Sequence, residues 1–437
     1  MAERRTRNAK GRSTIYFGKD GFWHGRVTVG VRDDGKPDRR HIKRLNKDEV
    51  VEEVGNLESE RAEGNVRKKG QGWTVEEWLT HWIENIAPLT TRYKTIRGYQ
   101  TAVRKHLIPG LGAHKLSRLQ HHPEYFEKLY MRMISSGLKP ATAHQVHRTA
   151  RTAMGEAQKR GHIVKNPVEI AKSPRVEEEE VEPLTPEEVQ QVLKAALERR
   201  NGLRFVIALA LGTRQGETIG LKWDRLDERR GTLRIRTALQ RRTWEHGCSN
   251  PTKCAAKYHK TKPCRPGCKR HSRACPPPCP ADCTGHARWC PQRQGGGLVE
   301  VDVKSQAGRR TIPLPDQLFE LIKHHRTKQA AERERAGSEW QEGGWIFTQP
   351  NGKPLDPRRD LDEWKELLAE AGVPEVRLHD ARHTAATVLL ILGVHQRVVM
   401  DIMGWSTASM VKRYTHVLEE VRRDVATRLN DFLWDNE

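Results

Sequence analysis

Outside the stretch from Cys248 to Cys290, the 437-residue chain contains no cysteine. A secreted protein stapled by disulfides would spread them along the chain, so that class is set aside. Long apolar runs are missing as well: no stretch reaches the ~18 apolar residues that would suggest a membrane-spanning helix. The basic start, MAERRTRNAKGRS, has no apolar segment behind it and does not read as a secretory signal. Acid is in deficit, with 56 Asp and Glu against 78 Lys and Arg, for a net charge of +22. That imbalance favours a polyanionic partner, nucleic acid first. Tyrosine is scarce too, at seven residues, which narrows the search for a nucleophile.

The length suggests roughly two to four domains. Near the N-terminus, the runs Thr14–Phe17, Trp23–Val31 and Arg39–Arg44 are separated by Gly-Lys-Asp-Gly and Asp-Asp-Gly-Lys. Period and punctuation predict a three-stranded meander, followed by a helix from Asn46 or Lys47 to about Arg61. Asn65–Gly72 reads as a Gly/Lys linker. Thr74 with Glu77 fits a capping box ahead of Trp78, Leu79 and Trp82. A second helix is expected over Thr90–His106, ended by Pro109-Gly-Leu-Gly112, with others near 123–136 and 140–160. These helices carry Arg92, Lys94, Arg97, Arg104, Lys105, Arg148 and Arg151. Residues 171–184 then change character, with a glutamate run and prolines that read as an exposed hinge. Thr185-Pro-Glu-Glu188 opens the next region as a capping box with proline in the first turn.

Two stretches of that region carry chemistry. Residues 207–223 place Arg214 after an apolar helix and a Gly-Thr break, with Glu217 and Leu221 following. Residues 377–416 hold His379 and Arg382, an apolar run (Val388, Leu389, Ile391, Leu392) that reads as a buried helix, then Gly393, a short helix over Gln396–Met403, Gly404, and a third helix carrying Tyr414. His379 and Arg382 are three apart and would share a helix face. A tyrosine hydroxyl is a weak nucleophile at its ordinary pKa of about 10. Cations that stabilise the phenolate and a base that takes its proton make it useful. Guanidinium matches two phosphate oxygens with a planar fork. Tyr, Arg and His together therefore suggest phosphoryl transfer through a phosphotyrosine. Tyr16, Tyr93, Tyr99, Tyr125 and Tyr130 precede the region and Tyr258 lies among the cysteines, which leaves Tyr414, preceded by Lys412 and Arg413.

Gly212-Thr-Arg214-Gln-Gly-Glu217, His379-Asp-Ala-Arg382-His383, Met403-Gly-Trp405-Ser406 and Tyr414-Thr-His416 together resemble the tyrosine recombinases, specifically phage-type integrases. The resemblance covers essentially the whole chain and is strongest over 183–437. It implies a multidomain fold, mainly α with small β elements. An arm-type DNA-binding domain would occupy 1–64, a helical SAM-like core-binding domain 73–170, an acidic linker 171–184 and a mixed α+β catalytic domain 185–437. It implies site-specific recombination of a mobile element, with Tyr414 as nucleophile and a 3′-phosphotyrosyl intermediate. Arg214 and Arg382 would bind the phosphate and His379 would help move the nucleophile's proton. Lys304, in a turn between Val299–Val303 and Arg309–Leu314 read as the tip of a hairpin, would protonate the departing 5′ oxygen. Trp405 departs from the commoner histidine; its indole N–H can donate to a phosphate oxygen but cannot titrate. Glu217 reads as a structural support. Further implications are double-stranded DNA with core and arm sites as partner, a homo-tetramer on DNA, and accessory DNA-bending or directionality proteins. No membrane association, a cytoplasmic, nucleoid-associated location and no catalytic cofactor are also expected. A C-terminal helix with Leu418, Val421, Val425, Leu429 and Phe432 on one face packs either on its own domain or on a neighbour. The rivals are a type IB topoisomerase, a tyrosine-family transposase of a conjugative element, and a non-catalytic zinc-containing DNA-binding regulator.

The family's short loop is replaced here by an insertion over 243–297. It holds Cys248, Cys254, Cys264, Cys268, Cys275, Cys279, Cys283 and Cys290, with His246, His259, His271 and His286 interspersed. Eight thiols match two tetrahedral Cys₄ zinc sites. A segment this poor in apolar residues cannot bury much core, so metal would supply its folding energy. Lys253, Lys257, Lys260, Lys262, Lys269, Arg270 and Arg273 make it basic and suggest additional DNA contacts.

Overall fold

The computed structural model describes residues 13–31, 36–62, 72–177, 183–254, 256–271, 275–281 and 283–414. The Asn65 linker apart from Gly72, most of the acidic run (178–182), Arg273, the expected C-terminal helix and the side chain of Tyr414 lie outside them. The chain divides into two compact units, Met1–Glu179 and Glu180–Glu437.

The first unit holds two separate cores. Strands β1 (Thr14–Phe17), β2 (Trp23–Val31) and β3 (Pro37–Arg44) form an antiparallel meander in that order. Alternation places Val27 and Val29 on one face with Ile42, and the helix Lys47–Ala62 covers them with Val50 and Val54. The second core is helical. Thr74 and Glu77 cap the helix Val75–His81 reciprocally, and Trp78 is buried with its indole N–H donating to the Ala153 carbonyl at 3.1 Å. Helices Glu124–Ser135 and Pro140–Lys159 complete this core.

Pro109 does not end the second helix. Helix Tyr93–Ala102 widens into a π turn at Val103–Leu107 and runs on as Ile108–Leu111. The preceding helix does the same, with a π turn at Trp82–Ile86 ahead of Pro88. A proline ring clashes with the carbonyl four residues back, here Lys105 or Glu84. In both cases that carbonyl lies inside the widened turn, where the ladder is already shifted.

In the second unit, Thr185 and Glu188 form a capping box on the helix Pro186–Glu198, with Pro186 in its first turn. Helix Leu203–Leu211 is apolar almost all round and buried, as a core helix should be. Its one charge, Arg204, is 2% exposed and paired with Asp360 at 2.7 Å and with Glu363. Strands β4 (Leu226–Asp227), β5 (Thr232–Ile235), β6 (Thr237–Arg242), β7 (Gly297–Asp302) and β8 (Arg310–Pro313) follow. Around them pack helices Asp316–Ala336, Pro357–Ala371, Leu378–Ile391 and Gln396–Met403, then a 3₁₀ segment Ala408–Tyr414.

Two expectations are corrected here. Lys304 does not sit at a hairpin tip, because β7 pairs with β6 and β8 pairs with β5. Thr237 faces Asp302 and, two residues back, Ile235 faces Arg310. The partner strand therefore leaves the ladder after Val303 and rejoins it at Arg310, and Lys304 opens that excursion. The tip of the β6–β7 ribbon is instead the cysteine-rich insertion. The apolar run near residue 390 is also not uniformly buried: Ile391 is 49% and Leu392 71% exposed. The inward stripe is Ala381, Ala385, Ala386 and Leu390, and one or two steps past Leu390 turn a side chain by about 100° or 200° away from it. Among the described residues, no helix is long and apolar enough to cross a membrane.

Candidate active site and metal centres

Helix Leu203–Leu211 stops at Gly212, whose φ of +57° is left-handed. That backbone conformation favours glycine, and a Cβ there would lie 2.4 Å from the Met403 sulfur, which would have to move aside. Two residues on, Arg214 caps the short helix Gln215–Thr218. The Glu217 carboxylate accepts from the Arg214 backbone N–H at 3.1 Å and from its guanidinium at 2.7 Å. On its other side it accepts from Arg310 at 2.9 Å. Glu217 is 2% exposed. Burial pushes its pKa up, but the Arg310 and Arg214 guanidiniums outweigh burial and hold it below the ordinary carboxylate value. Its support role is visible in this double pairing.

Arg310 was absent from the sequence-derived site. It also donates to the carbonyls of Ile402 at 2.6 Å and Gly308 at 3.1 Å. It therefore ties the start of β8, the Arg214 turn and the end of helix Gln396–Met403 together. The strand period carried a signal: Arg310 and Ile312 are buried while Thr311 and Pro313 are exposed, so Arg310 falls on the inward face.

Arg382 is 4% exposed and donates to the carbonyls of Gly212 and Met403. It thus joins the C-terminal ends of two helices, where carbonyls lack intrahelical partners and a cation is favoured. Its guanidinium carbon lies 5.7 Å from the centroid of the buried Trp405 ring. Gly404, at φ +63°, completes the turn, and a Cβ there would approach the Ala307 carbonyl oxygen to 2.9 Å. The Lys304 excursion therefore leans on this turn. Lys304 itself is exposed.

Of the two residues three apart on helix Leu378–Ile391, Arg382 is buried and His379 is exposed. The His379 ring meets His383 edge-on at 5.4 Å. Atoms crowded around the imidazole strip water from it and depress its pKa, and His383, Arg382 and Arg214 push the same way against Asp380. The structure thus gathers Arg214, Arg382, Trp405 and His379 around the Gly212 and Gly404 turns, with the Lys304 loop against them. The backbone of Tyr414 closes the 3₁₀ segment that follows Trp405.

The eight cysteines do not form two Cys₄ groups. With the four histidines they form three groups of four, each with its ligand atoms within 4.8 Å of one another. The groups are His246, Cys248, Cys254 and Cys290; His259, Cys279, Cys283 and His286; and Cys264, Cys268, His271 and Cys275. Each could hold a metal ion. Counting thiols alone gave two groups where the structure has three, because the histidines supply the balance of donors. Of the expected DNA-facing cations of the insertion, Lys253, Lys257, Lys262, Lys269 and Arg270 are exposed. Lys260 instead turns its amine onto the Cys264 sulfur at 3.0 Å.

Residues 74–134 match the phage integrase N-terminal SAM-like domain, and residues 294–420, beginning at the far end of the insertion, match the phage integrase family. An integrase of Saccharopolyspora erythraea is 74% identical over 99% of both chains. A XerC-like tyrosine recombinase of Caldanaerobacter subterraneus is 25% identical over 97% of this chain and 99% of its own. In fold, the chain resembles the Tn1549 transposon integrase, solved in complex with a circular intermediate DNA, with a TM-score of 0.58 at 18% identity, covering 82% of this chain and 99% of that one. The chain belongs to the integrases of the tyrosine recombinase family, enzymes of site-specific DNA recombination in mobile elements.

Proposed function

We propose that this integrase cuts and rejoins DNA at attachment sites with Tyr414 as the nucleophile. The observation that carries the reading is the Arg382 clamp, which joins the Gly212 and Met403 carbonyls and so sets the Arg214 turn beside the Trp405 turn. Arg214, the more exposed guanidinium, grips non-bridging oxygens of the scissile phosphate. Arg382 adds positive charge from the buried side, and the two offset the charge that gathers in the pentavalent transition state. The Trp405 indole N–H donates to a phosphate oxygen. Neutral His379 takes the phenol proton as the Tyr414 oxygen attacks phosphorus. The bond from phosphorus to the 5′ oxygen breaks, and Lys304 gives that oxygen a proton. A 5′ hydroxyl from the partner strand reverses the step on the 3′-phosphotyrosine. The bond count is unchanged throughout, so no ATP is required, and the two guanidiniums supply the charge that a divalent ion would otherwise bring.

The remaining assignments follow the domain order. The N-terminal sheet and helix, within 1–64, read arm sites. The helical region 73–170 grips the core site through phosphates, and its cations Arg92, Lys94, Arg97, Arg104, Lys105, Arg148 and Arg151 are all exposed. Residues 171–184 act as the hinge that lets the flanking domains close around DNA. Four protomers bring two duplexes together, with accessory DNA-bending or directionality proteins, in the cytoplasm. The insertion is held by structural zinc, a metal suited to clustered thiolates and imidazoles.

The test is covalent trapping on a nicked half-site taken from the DNA flanking the gene, with wild type and Tyr414→Phe run side by side on denaturing gels. Wild type is expected to give a protein–DNA band that the variant lacks. Equal bands would place the nucleophile elsewhere.

A further inference from the structure

The insertion poses a folding problem that apolar packing does not solve. Among its described residues only Ala287 and Cys290 are buried, and its regular structure amounts to two 3₁₀ turns, Ala256–Tyr258 and Ala287–Trp289. Something other than a hydrophobic core must hold it. The geometry points to three metal ions, each in its own four-ligand site: two Cys₃His sites (His246, Cys248, Cys254, Cys290; and Cys264, Cys268, His271, Cys275) and one Cys₂His₂ site (His259, Cys279, Cys283, His286). This rests on the reading that zinc holds the insertion, and specifies how many ions and on which ligands.

The distances fit tetrahedra. With metal–sulfur near 2.3 Å and metal–nitrogen near 2.0 Å, a tetrahedral sulfur–nitrogen edge is about 3.5 Å. The Cys248 sulfur lies 3.6 Å from His246 Nδ1. His271 Nδ1 lies 3.7 Å from Cys264 and 3.6 Å from Cys268. His286 Nε2 lies 3.3 Å from Cys279. All three sites show this edge.

Groups outside the ligand shells agree. A metal-bound histidine donates its second ring N–H to an acceptor, which fixes its tautomer. His246 points Nδ1 at Cys248 and sets Nε2 3.0 Å from the Gly285 carbonyl. His259 sets Nε2 3.3 Å from the Cys254 carbonyl, which leaves Nδ1 for the metal. Thiolates need donors, and they have them: the Lys260 N–H reaches Cys279 at 3.3 Å, the Gly285 N–H reaches Cys283 at 3.4 Å, and the Lys260 amine reaches Cys264.

The order of ligands adds an argument from topology. The Cys264–Cys275 site is local. His259 and Cys279 bracket it, and Cys254 and Cys290 bracket those in turn. The three sites are nested, so each closes the loop left by the one inside it without crossing the chain. Bonds across the brackets follow the same nesting: Cys279 N–H donates to the Lys260 carbonyl at 2.7 Å, and Glu245 and Gln294 exchange backbone bonds at 2.9 and 3.0 Å. Once an inner site is closed, the next one out spans a shorter effective loop and costs less chain entropy than it would alone.

Metal content decides it. Full-length protein purified without chelator is analysed by native mass spectrometry and by elemental analysis for zinc, and thiol alkylation is mapped by peptide mass spectrometry. Three zinc ions per chain and eight protected thiols are expected. His259→Ala combined with His286→Ala should lower the count to two, and Cys279 and Cys283 alone should become alkylated. Alkylation reports each site separately, so the outcome is readable even if the variant is less stable. Two ions in wild type, unchanged by the histidine substitutions, would overturn the three-site assignment and restore two Cys₄ centres. Absence of bound metal, or cysteines paired as disulfides, would overturn the metal reading itself while leaving the recombinase chemistry untouched.

Discussion

The active-site turns and the cysteine-rich insertion lie in one unit, yet they fix their polar groups in opposite ways. Around Gly212 and Gly404, charged groups are buried: Glu217, Arg310 and Arg382 are 2%, 7% and 4% exposed. They are held by one another, by carbonyls at helix ends and by a continuous apolar core. In the insertion most of the donors are half-exposed, and among its described residues only Ala287 and Cys290 are buried. The first arrangement is positioned by exclusion of water, where an unpartnered charge is expensive. On the proposed zinc reading, the second is positioned by ligands converging on points in space. The first should therefore break when one charge is removed, and the second when one ion is removed, each without the other.

The largest effect should come from Glu217→Gln. The carboxylate sits between Arg214 and Arg310, and removing it leaves a buried guanidinium without its counter-charge, which costs about 3–5 kcal/mol of stability. Denaturant unfolding of the full chain checks this. The sign with pH also follows. Glu217 titrates below its ordinary value in the fold, so its contribution is present above the unfolded pKa and is lost as pH falls through the lowered folded one. Wild type should lose its advantage over the variant in that acid window. An advantage that persists there would assign the stability to packing.

Next in size is Arg214→Ala. Arg214 is 35% exposed at its side chain and shares Glu217 with Arg310, so stability should move little. The cleavage barrier should rise by about 3 kcal/mol, roughly a hundredfold or more in single-turnover rate, as for loss of an oxyanion donor. A rate loss that merely tracks lost stability would remove Arg214 from the chemistry.

What the sequence displayed was local. Gly212–Glu217 and His379–His383 each place their reactive groups within one or two helical turns, so residue type and spacing sufficed to find them. Arg310 escaped because its meaning depends on Glu217 and Ile402, distant in sequence and joined only by the fold. Arg382 was legible as a candidate, but its bonds to the carbonyls of Gly212 and Met403 were not, because they too depend on partners that only the fold brings close. Pro109 read as a helix stop because the π turn that accommodates it leaves no compositional mark. The meander, the capping boxes at Thr74 and Thr185 and the mainly helical class were legible, since period, turn residues and caps are local. The insertion's three groups were not, because a nested pairing of twelve ligands is a property of the closed loops and not of any one spacing.

A smaller effect concerns His379. In the proposed mechanism its neutral form accepts the phenol proton, and its surroundings favour that form. Single-turnover cleavage should therefore fall on the acid side with a midpoint below the ordinary histidine value of about 6.5. His379→Gln should be slower at neutral pH and lack that limb. A midpoint above the ordinary value would mean that a negative group, and not burial and neighbouring cations, controls the ring.

The smallest effect tests the comparison itself. Glu245 and Gln294 form a backbone-bonded pair at the base of the insertion, which is the geometry that a two-residue turn closes. Replacing residues 246–293 with Asn-Gly should therefore leave a short β6–β7 hairpin. If the insertion holds itself together through its ligands and the catalytic unit through its apolar core, stability of the latter should shift by less than about 1 kcal/mol, the scale of a surface change. Unfolding followed by tryptophan fluorescence reads this, because Trp223, Trp364 and Trp405 remain in the catalytic unit. The same deletion should weaken DNA binding and flatten its salt dependence, since it removes the exposed Lys253, Lys257, Lys262, Lys269 and Arg270. Stability retained with weaker, less salt-sensitive binding makes the insertion a separate DNA contact set on the ribbon. Stability lost by several kcal/mol would instead make it part of the catalytic core, and the two regions would no longer be separable.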